Sequence, residues 1–213
     1  MTDTGKFAVA TRRATSLDTK PLAAVLARAF YDDPAFRWML PQPKTRESRA
    51  RGVFATMLRA EALRHGAVEV ACADSRIVGG AIWLPPGHWA PTPSEQLRSL
   101  PGYIRAFGSR LGPATALLQS MARSHPITPH WYLFAIGVDP SLQGRGVAGA
   151  LLRSRLERCD QSGEPAYLEA SNPTGIPVYQ HFGFQPTAAP ALPDGAPPIT
   201  PMWRSPSLGV RSV

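Results

Sequence analysis

Three glycines within six residues, Gly144, Gly146 and Gly149, stand between a short apolar run and an amphipathic stripe. The run, residues 130–138, is rich in aromatic and branched side chains, and its length and bounds predict a buried strand. Beyond the glycines, Ala148, Leu151, Leu152, Leu156 and Cys159 recur on one face of a helix. A strand that turns through glycines into a helix leaves few folds open. The glycines let backbone N–H groups converge, and the new helix adds unpaired N–H groups and a positive dipole end. Both features bind phosphate oxygens without a charged side chain, and Arg145 adds a cation. The plain structural alternative is a tight turn with no ligand.

Around this unit the chain alternates helices and strands. Residues 7–13 read as a first strand. Leu22, Val25, Leu26, Ala29 and Phe30 form a helix stripe, with Asp18 or Thr19 to cap it and Asp32-Asp33-Pro34 to end it. A second helix spans 45–65 and stops at Gly66. Residues 67–73 and 77–84 are strands separated by a hairpin-sized gap. A helical stretch then runs from Thr92 or Ser94 to Arg123, interrupted at Pro101, Gly102 and Pro113. Residues 166–170 read as a strand and 177–182 as a short helix. Seven prolines between Pro186 and Pro206 predict a tail that is mostly loop, with 199–204 as an edge strand. The order strand, helix, strand, helix in the second half implies a partly parallel sheet in an α/β fold.

A length of 213 residues favours a single domain, and 44% hydrophobic residues support a packed core. No apolar run approaches a membrane span and the N-terminus has no signal-type stretch, so the chain reads as cytoplasmic, with no membrane partner. Cys72 and Cys159 read as small buried hydrophobes, and the histidines show no metal-ligand spacing, so no metal is expected. The net charge of +8 suits a nucleic acid, an anionic surface or a polyphosphate cofactor equally. The arginines are spread out rather than massed in an arm. A solvated basic surface, with no nucleic-acid partner, is therefore the simpler reading.

Gly144-x-Gly146-x-x-Gly149 also satisfies the dinucleotide-binding pattern, with Glu169 about 20 residues on, where a ribose-binding acid is expected. An NAD-dependent oxidoreductase is thus a rival. Against it, Asp139 to Gln143 separate the first glycine from the strand end, and only a proline-rich tail remains for further repeats.

Gln143-Gly144-Arg145-Gly146-Val147-Ala148 resembles the cofactor motif of the Gcn5-related N-acetyltransferases. Leu168-Glu169-Ala170-Ser171-Asn172-Pro173, followed by Tyr179-Gln180-His181-Phe182-Gly183-Phe184, resembles that family's second signature at the expected spacing. Arg13-Ala14-Thr15 and Ala29-Phe30-Tyr31-Asp32-Asp33-Pro34 are similar to it more loosely. The resemblance implies one domain over residues 6–204, with a mixed, centrally splayed β-sheet flanked by helices. The sheet would part after the strand ending at Val138, and Gly137 would supply a bulge.

Acetyl-CoA is the implied acyl donor. Backbone groups of Ile136 and Val138 would pair with its pantetheine arm, and the loop Gln143, Gly144, Arg145, Gly146, Ala148 and Gly149 would face its pyrophosphate. Asn172 would bond the pantetheine side, and Tyr179 would sit beside the sulfur as the general acid. Glu169, on the face opposite Leu168, is a candidate general base, with Glu69, His130 and a bridging water behind it. The acceptor is an amine, and the aromatic segments before His130 lean towards a small, partly apolar one. A homodimer stays open. So does a non-catalytic acyl-CoA-binding module, the alternative from another functional class.

Overall fold

The computed structural model describes residues 8–65 and 67–207. The expected first residues of the domain, 6 and 7, and the helix stop at Gly66 lie outside them. The first strand, β1, is Ala10–Arg13 and pairs antiparallel with β2, Val68–Ala73. β2 turns through Asp74 and Ser75, both at positive φ, into β3, Arg76–Leu84. β3 pairs antiparallel with β4, Trp131–Val138. β4 runs parallel to β5, Ala166–Ala170, the relation required when α6, Val147–Ser162, crosses between them. The sheet is completed by β6, Gln185–Pro186, and β7, Thr200–Arg204, in the order β1-β2-β3-β4-β5-β7-β6.

β7 is therefore not the edge strand that its prolines suggested. It lies between β5 and the two-residue β6. Pro201 sits where β7 has run past β6, and its carbonyl still accepts from Thr187 N–H (2.9 Å).

Helices cover both faces. α6 packs Leu151, Leu152 and Leu156 against Trp83, Leu133, Leu168, Phe184 and Met202. Each fully buried leucine contributes about 1.5–3 kcal/mol, so this stripe anchors the helix firmly. Within the same layer, Arg155 of α6 meets Glu69 of β2 at 2.9 Å. The opposite face carries α1, Thr19–Ala29, and α3, Pro43–Ala60, with Leu22, Leu26, Phe54 and Leu58 buried on Val68, Ile82 and Tyr132. α4, Pro93–Phe107, and α5, Leu111–Arg123, form an outer layer on α3 with part of the proline-rich tail, through Ile199.

Local chemistry differs from the sequence expectation at three places. Asp18 does not cap α1 with its side chain; its carboxylate instead takes Arg12 and the Thr15 N–H in a preceding 3-10 turn. Asp32-Asp33-Pro34 does end α1, but it also starts α2, Pro34–Met39. Asp33 is the N-cap of that helix and Pro34 its first residue. α4 runs unbroken through Pro101, and Gly102 lets it lie against Thr56, whose Oγ1 would be 2.2 Å from an added Cβ. The break falls later, at Gly108.

Candidate active site

The cleft begins where β4 and β5 stop pairing. Only Trp131, Tyr132 and Leu133 find partners on β5; beyond Leu168 the two strands part. On the other edge of β4, Trp83 pairs with Leu133 and Ile82 with Ala135, which leaves Phe134 as an extra residue. The bulge and the parting thus lie at Phe134, within the strand, and not at Gly137 or after Val138. Gly137 serves another purpose: a Cβ there would lie 2.8 Å from Ala29 Cβ and 2.9 Å from Leu26 Cδ2. It lets α1 settle on the sheet beside the cleft. The cavity between the strands has a volume of about 310 Å³.

The β4 wall offers unpaired backbone. Asp139 N–H bonds Val78 O at 2.8 Å, which sets the phase of the antiparallel ladder: Gly137 bonds across to β3, while Ile136 and Val138 do not. The N–H and C=O of Ile136 and Val138 therefore point towards the cleft. Gln143 follows them into its lining, and its Nε2 reaches Val138 O at 3.4 Å.

At the wide end, Gly144 (φ 76°) and Gly146 (φ 80°) both take left-handed backbone, and Gly146 is the N-cap of α6. No atom lies within 4 Å of where a Cβ would sit on either, so the loop presents bare backbone. That is the shape a phosphate cradle needs, and the residues fit the acyl-CoA that the resemblance implies. Ala148, in the first turn of α6, lines the cleft. Gly149 is less constrained, because a Cβ there would make only ordinary contact with Phe182 at 3.6 Å. A 3-10 turn, Pro140–Leu142, separates this loop from β4. Asp139 caps it by accepting from Ser141 N–H, and it is also clamped by Arg28 of α1 at 2.6 Å. That spacer, in a mostly antiparallel sheet, removes the dinucleotide-binding alternative.

The β5 wall carries Glu169, Asn172 and Tyr179, all lining the cavity. Asn172 Oδ1 accepts from Thr174 N–H (3.1 Å) and Oγ1 (2.9 Å), so its amide N–H groups are what it can offer a ligand. Tyr179, on α7, Ile176–His181, has its phenol pushed up to about 12 by burial and by the negative charge of Asp33. Glu169 accepts from Tyr132 (2.6 Å) and Tyr167 (3.1 Å), and burial raises its pKa above the usual carboxylate range.

Asp33 is the residue that sequence reasoning missed. It is 6% exposed, its Oδ1 caps α2 through the N–H groups of Ala35 (2.9 Å) and Phe36 (3.1 Å), and its Oδ2 accepts from Ser171 Oγ at 2.5 Å. Burial lifts its pKa against the pull of those bonds. The Asp-Pro pair marked the cap; nothing local placed it 138 residues away beside Ser171. The other base candidates lie elsewhere. Glu69 is buried against Arg155, and His130 bonds His125 (3.0 Å) and Thr128 O (2.6 Å) behind the tyrosines. Among the described residues no group of three or more His, Cys, Asp or Glu could hold a metal, and no helix is long and apolar enough to cross a membrane.

A mixed sheet parted beside a strand–glycine loop–helix unit defines the acyl-CoA N-acyltransferase class of fold. The profile of the acetyltransferase (GNAT) family matches residues 27–184, and the chain belongs to that family. It is 28% identical over 191 residues to an uncharacterized N-acetyltransferase of Schizosaccharomyces pombe, covering 83% of this chain and 74% of that one. Among solved structures, a Corynebacterium glutamicum protein, "histone acetyltransferase HPA2 and related acetyltransferase", superposes with a TM-score of 0.73 at 28% identity, over 95% of this chain and 98% of that one. A Drosophila melanogaster polyamine N-acetyltransferase gives 0.66 at 16% identity over 93% and 100%. At that identity it supports the fold alone.

Proposed function

We propose that the protein transfers an acetyl group from acetyl-CoA to a small-molecule amine by direct attack with both substrates bound. The observation that carries this reading is the parted β4–β5 edge, with the backbone of Ile136 and Val138 turned away from β3 into the cleft on one side and Tyr179 on the other. Acetyl-CoA supplies the activated thioester. The bare loop from Gly144 to Ala148 would receive its pyrophosphate, and Asn172 an acceptor group of the pantetheine arm. Ile136 N–H donates to the carbonyl oxygen as charge builds there.

Asp33, a carboxylate of raised basicity next to Tyr179, takes the proton from the attacking nitrogen, directly or through one water. Tyr179 returns a proton to the departing sulfur. The two roles are coupled. The charge of Asp33 is one of the causes that hold the Tyr179 proton on, so protonating Asp33 makes the phenol a better acid as the thiolate leaves. The base role that the sequence suggested for Glu169 passes to Asp33 in this reading, because Asp33 is the carboxylate electrostatically tied to the acid.

The test is thiol release from acetyl-CoA across an amine panel, beside a thermal-shift titration with acetyl-CoA. Stabilisation with release on at least one amine is expected. Stabilisation with no release on any amine would favour the acyl-CoA-binding module instead.

A further inference from the structure

Among the described residues that line the cleft are two carboxylates, Asp33 and Glu169, and no Lys or Arg. The chain carries 23 Lys and Arg, yet among the described residues none forms an ion pair with Asp33 or Glu169. In a basic protein that pattern is informative, since Asp33 is buried and Glu169 half-buried, and a carboxylate drawn out of water without a counter-charge is unfavourable unless a ligand brings one.

The two acids are held separately. Asp33 is fixed by the first turn of α2 and by Ser171, beside Tyr179. Glu169 is the first residue past the last β4–β5 pair, at the apex of the cleft. Its neighbour Leu168 belongs to the α6 layer, whereas Tyr132 and Tyr167, which hold Glu169, belong to the α1–α3 layer. Glu169 therefore faces the side opposite the helix that starts at the phosphate loop, the side from which an acceptor must come.

The tyrosines also fix its geometry. Tyr132 donates to Oε2 and Tyr167 to Oε1, one phenol on each oxygen. Each oxygen keeps lone-pair capacity for a donor arriving from the cavity, and the carboxylate cannot swing away. Phe30 and Phe134 line the same cavity, surroundings suited to the methylenes of an alkylammonium chain.

We propose that Glu169, gripped by Tyr132 and Tyr167, is the specificity-determining anchor for a second cationic group on the acceptor, so that the preferred acceptors are aliphatic diamines: one ammonium docks at Glu169 while the other nitrogen, deprotonated at Asp33, is acetylated. This rests on the acetyltransferase reading above.

The experiment compares thiol release from acetyl-CoA for diaminobutane against butylamine, and for the matching diamine and monoamine pairs from propyl to octyl. The wild type should favour the best diamine by about tenfold or more in kcat/KM, the scale of one charge-assisted hydrogen bond, with the difference lying in KM. Glu169→Gln should collapse that ratio towards unity. Tyr167→Phe keeps the ring and removes one grip, so it should lower the ratio by a smaller factor, and it stands as the test if Glu169→Gln does not fold. Equal use of diamines and monoamines by the wild type would overturn the inference alone. So would a Glu169→Gln enzyme that loses both activities in the same proportion, or a Tyr167→Phe enzyme with an unaltered ratio. No release with any amine would overturn both this inference and the reading beneath it.

Discussion

In the proposed reaction, single side chains of this cleft separate binding from chemistry. Tyr179 has its pKa raised to about 12, so the phenol stays protonated throughout the neutral and mildly alkaline range. Tyr179→Phe should lower kcat by about 10²–10⁴-fold while the thermal shift with acetyl-CoA is retained, because the ring still packs on Phe184. The wild-type kcat should also show no alkaline fall from this group until the pH nears 12. An unchanged kcat in the variant would remove Tyr179 from the mechanism. Gly146→Val should act in the opposite way. At φ 80° a β-branched residue is strained, and its side chain would occupy the bare face of the loop. Acetyl-CoA affinity, read by titration, should weaken before any loss at saturating cofactor. The positions of Tyr179 at the cleft and of Gly146 at the start of α6 were legible in the sequence, because each sits in a local motif whose spacing survives folding.

Elements set the distances between such residues. α1 lies against the sheet over glycines: a Cβ on Gly80 would meet Leu22 Cδ1 at 2.3 Å, and one on Gly137 would meet Ala29 Cβ at 2.8 Å. From that seat α1 sends Arg28 to Asp139 on the β4 side, and the turn after it sends Asp33 to Ser171 on the β5 side. One helix thus ties both walls of the cleft. Gly137→Ala should lift α1 from β4, with a loss of about 1–3 kcal/mol in urea denaturation, the usual scale of overpacking, and reduced turnover through displaced Asp33. Adding Ala29→Gly removes the opposing Cβ and should restore part of both. Failure of the double variant to recover either would show that the close contact is not what positions α1.

At the scale of the molecule, the histidine pair behind the cleft ties stability to pH. His130 Nδ1 bonds a carbonyl oxygen, so that nitrogen carries the proton; its Nε2 must then accept from His125 Nε2–H. Both rings are neutral and packed among Trp89, Tyr132, Tyr167 and Trp203. Burial, and then the neighbouring His130, lower the His125 pKa from 6.5 to about 3; burial also lowers that of His130. The unfolded chain takes up these protons below pH 6.5 and the folded one does not. Their contribution is therefore full above pH 6.5 and is lost as the pH falls towards 3, at about 1.4 kcal/mol per unit of displacement. Asp33 and Glu169, raised by burial, act in the opposite sense. His125→Phe should be less stable at pH 7, since His130 Nε2 loses its donor, yet its midpoint should fall less steeply between pH 7 and 4. An equal slope in both proteins would remove the pair as the source.

The sequence by itself determined the strand–loop–helix unit, most of the succession of elements and the family's cofactor motif, though not α2 or the break between α4 and α5. Periodicity, glycine conformation and N-terminal helix N–H groups are local properties, written in adjacent residues. It did not place the cleft within β4, because the parting at Phe134 is an agreement of register among three strands. It misjudged β7, because prolines argue for an edge, whereas the length of β6 decides how much of β7 is covered. Above all it did not find Asp33. A capping carboxylate looks the same in sequence whether it faces water or a reaction. Only the seating of α1 on Gly80 and Gly137, the bond to Ser171 and the absence of a counter-ion among the described residues make this helix cap a buried carboxylate in the cleft, the position from which it is proposed to act as base.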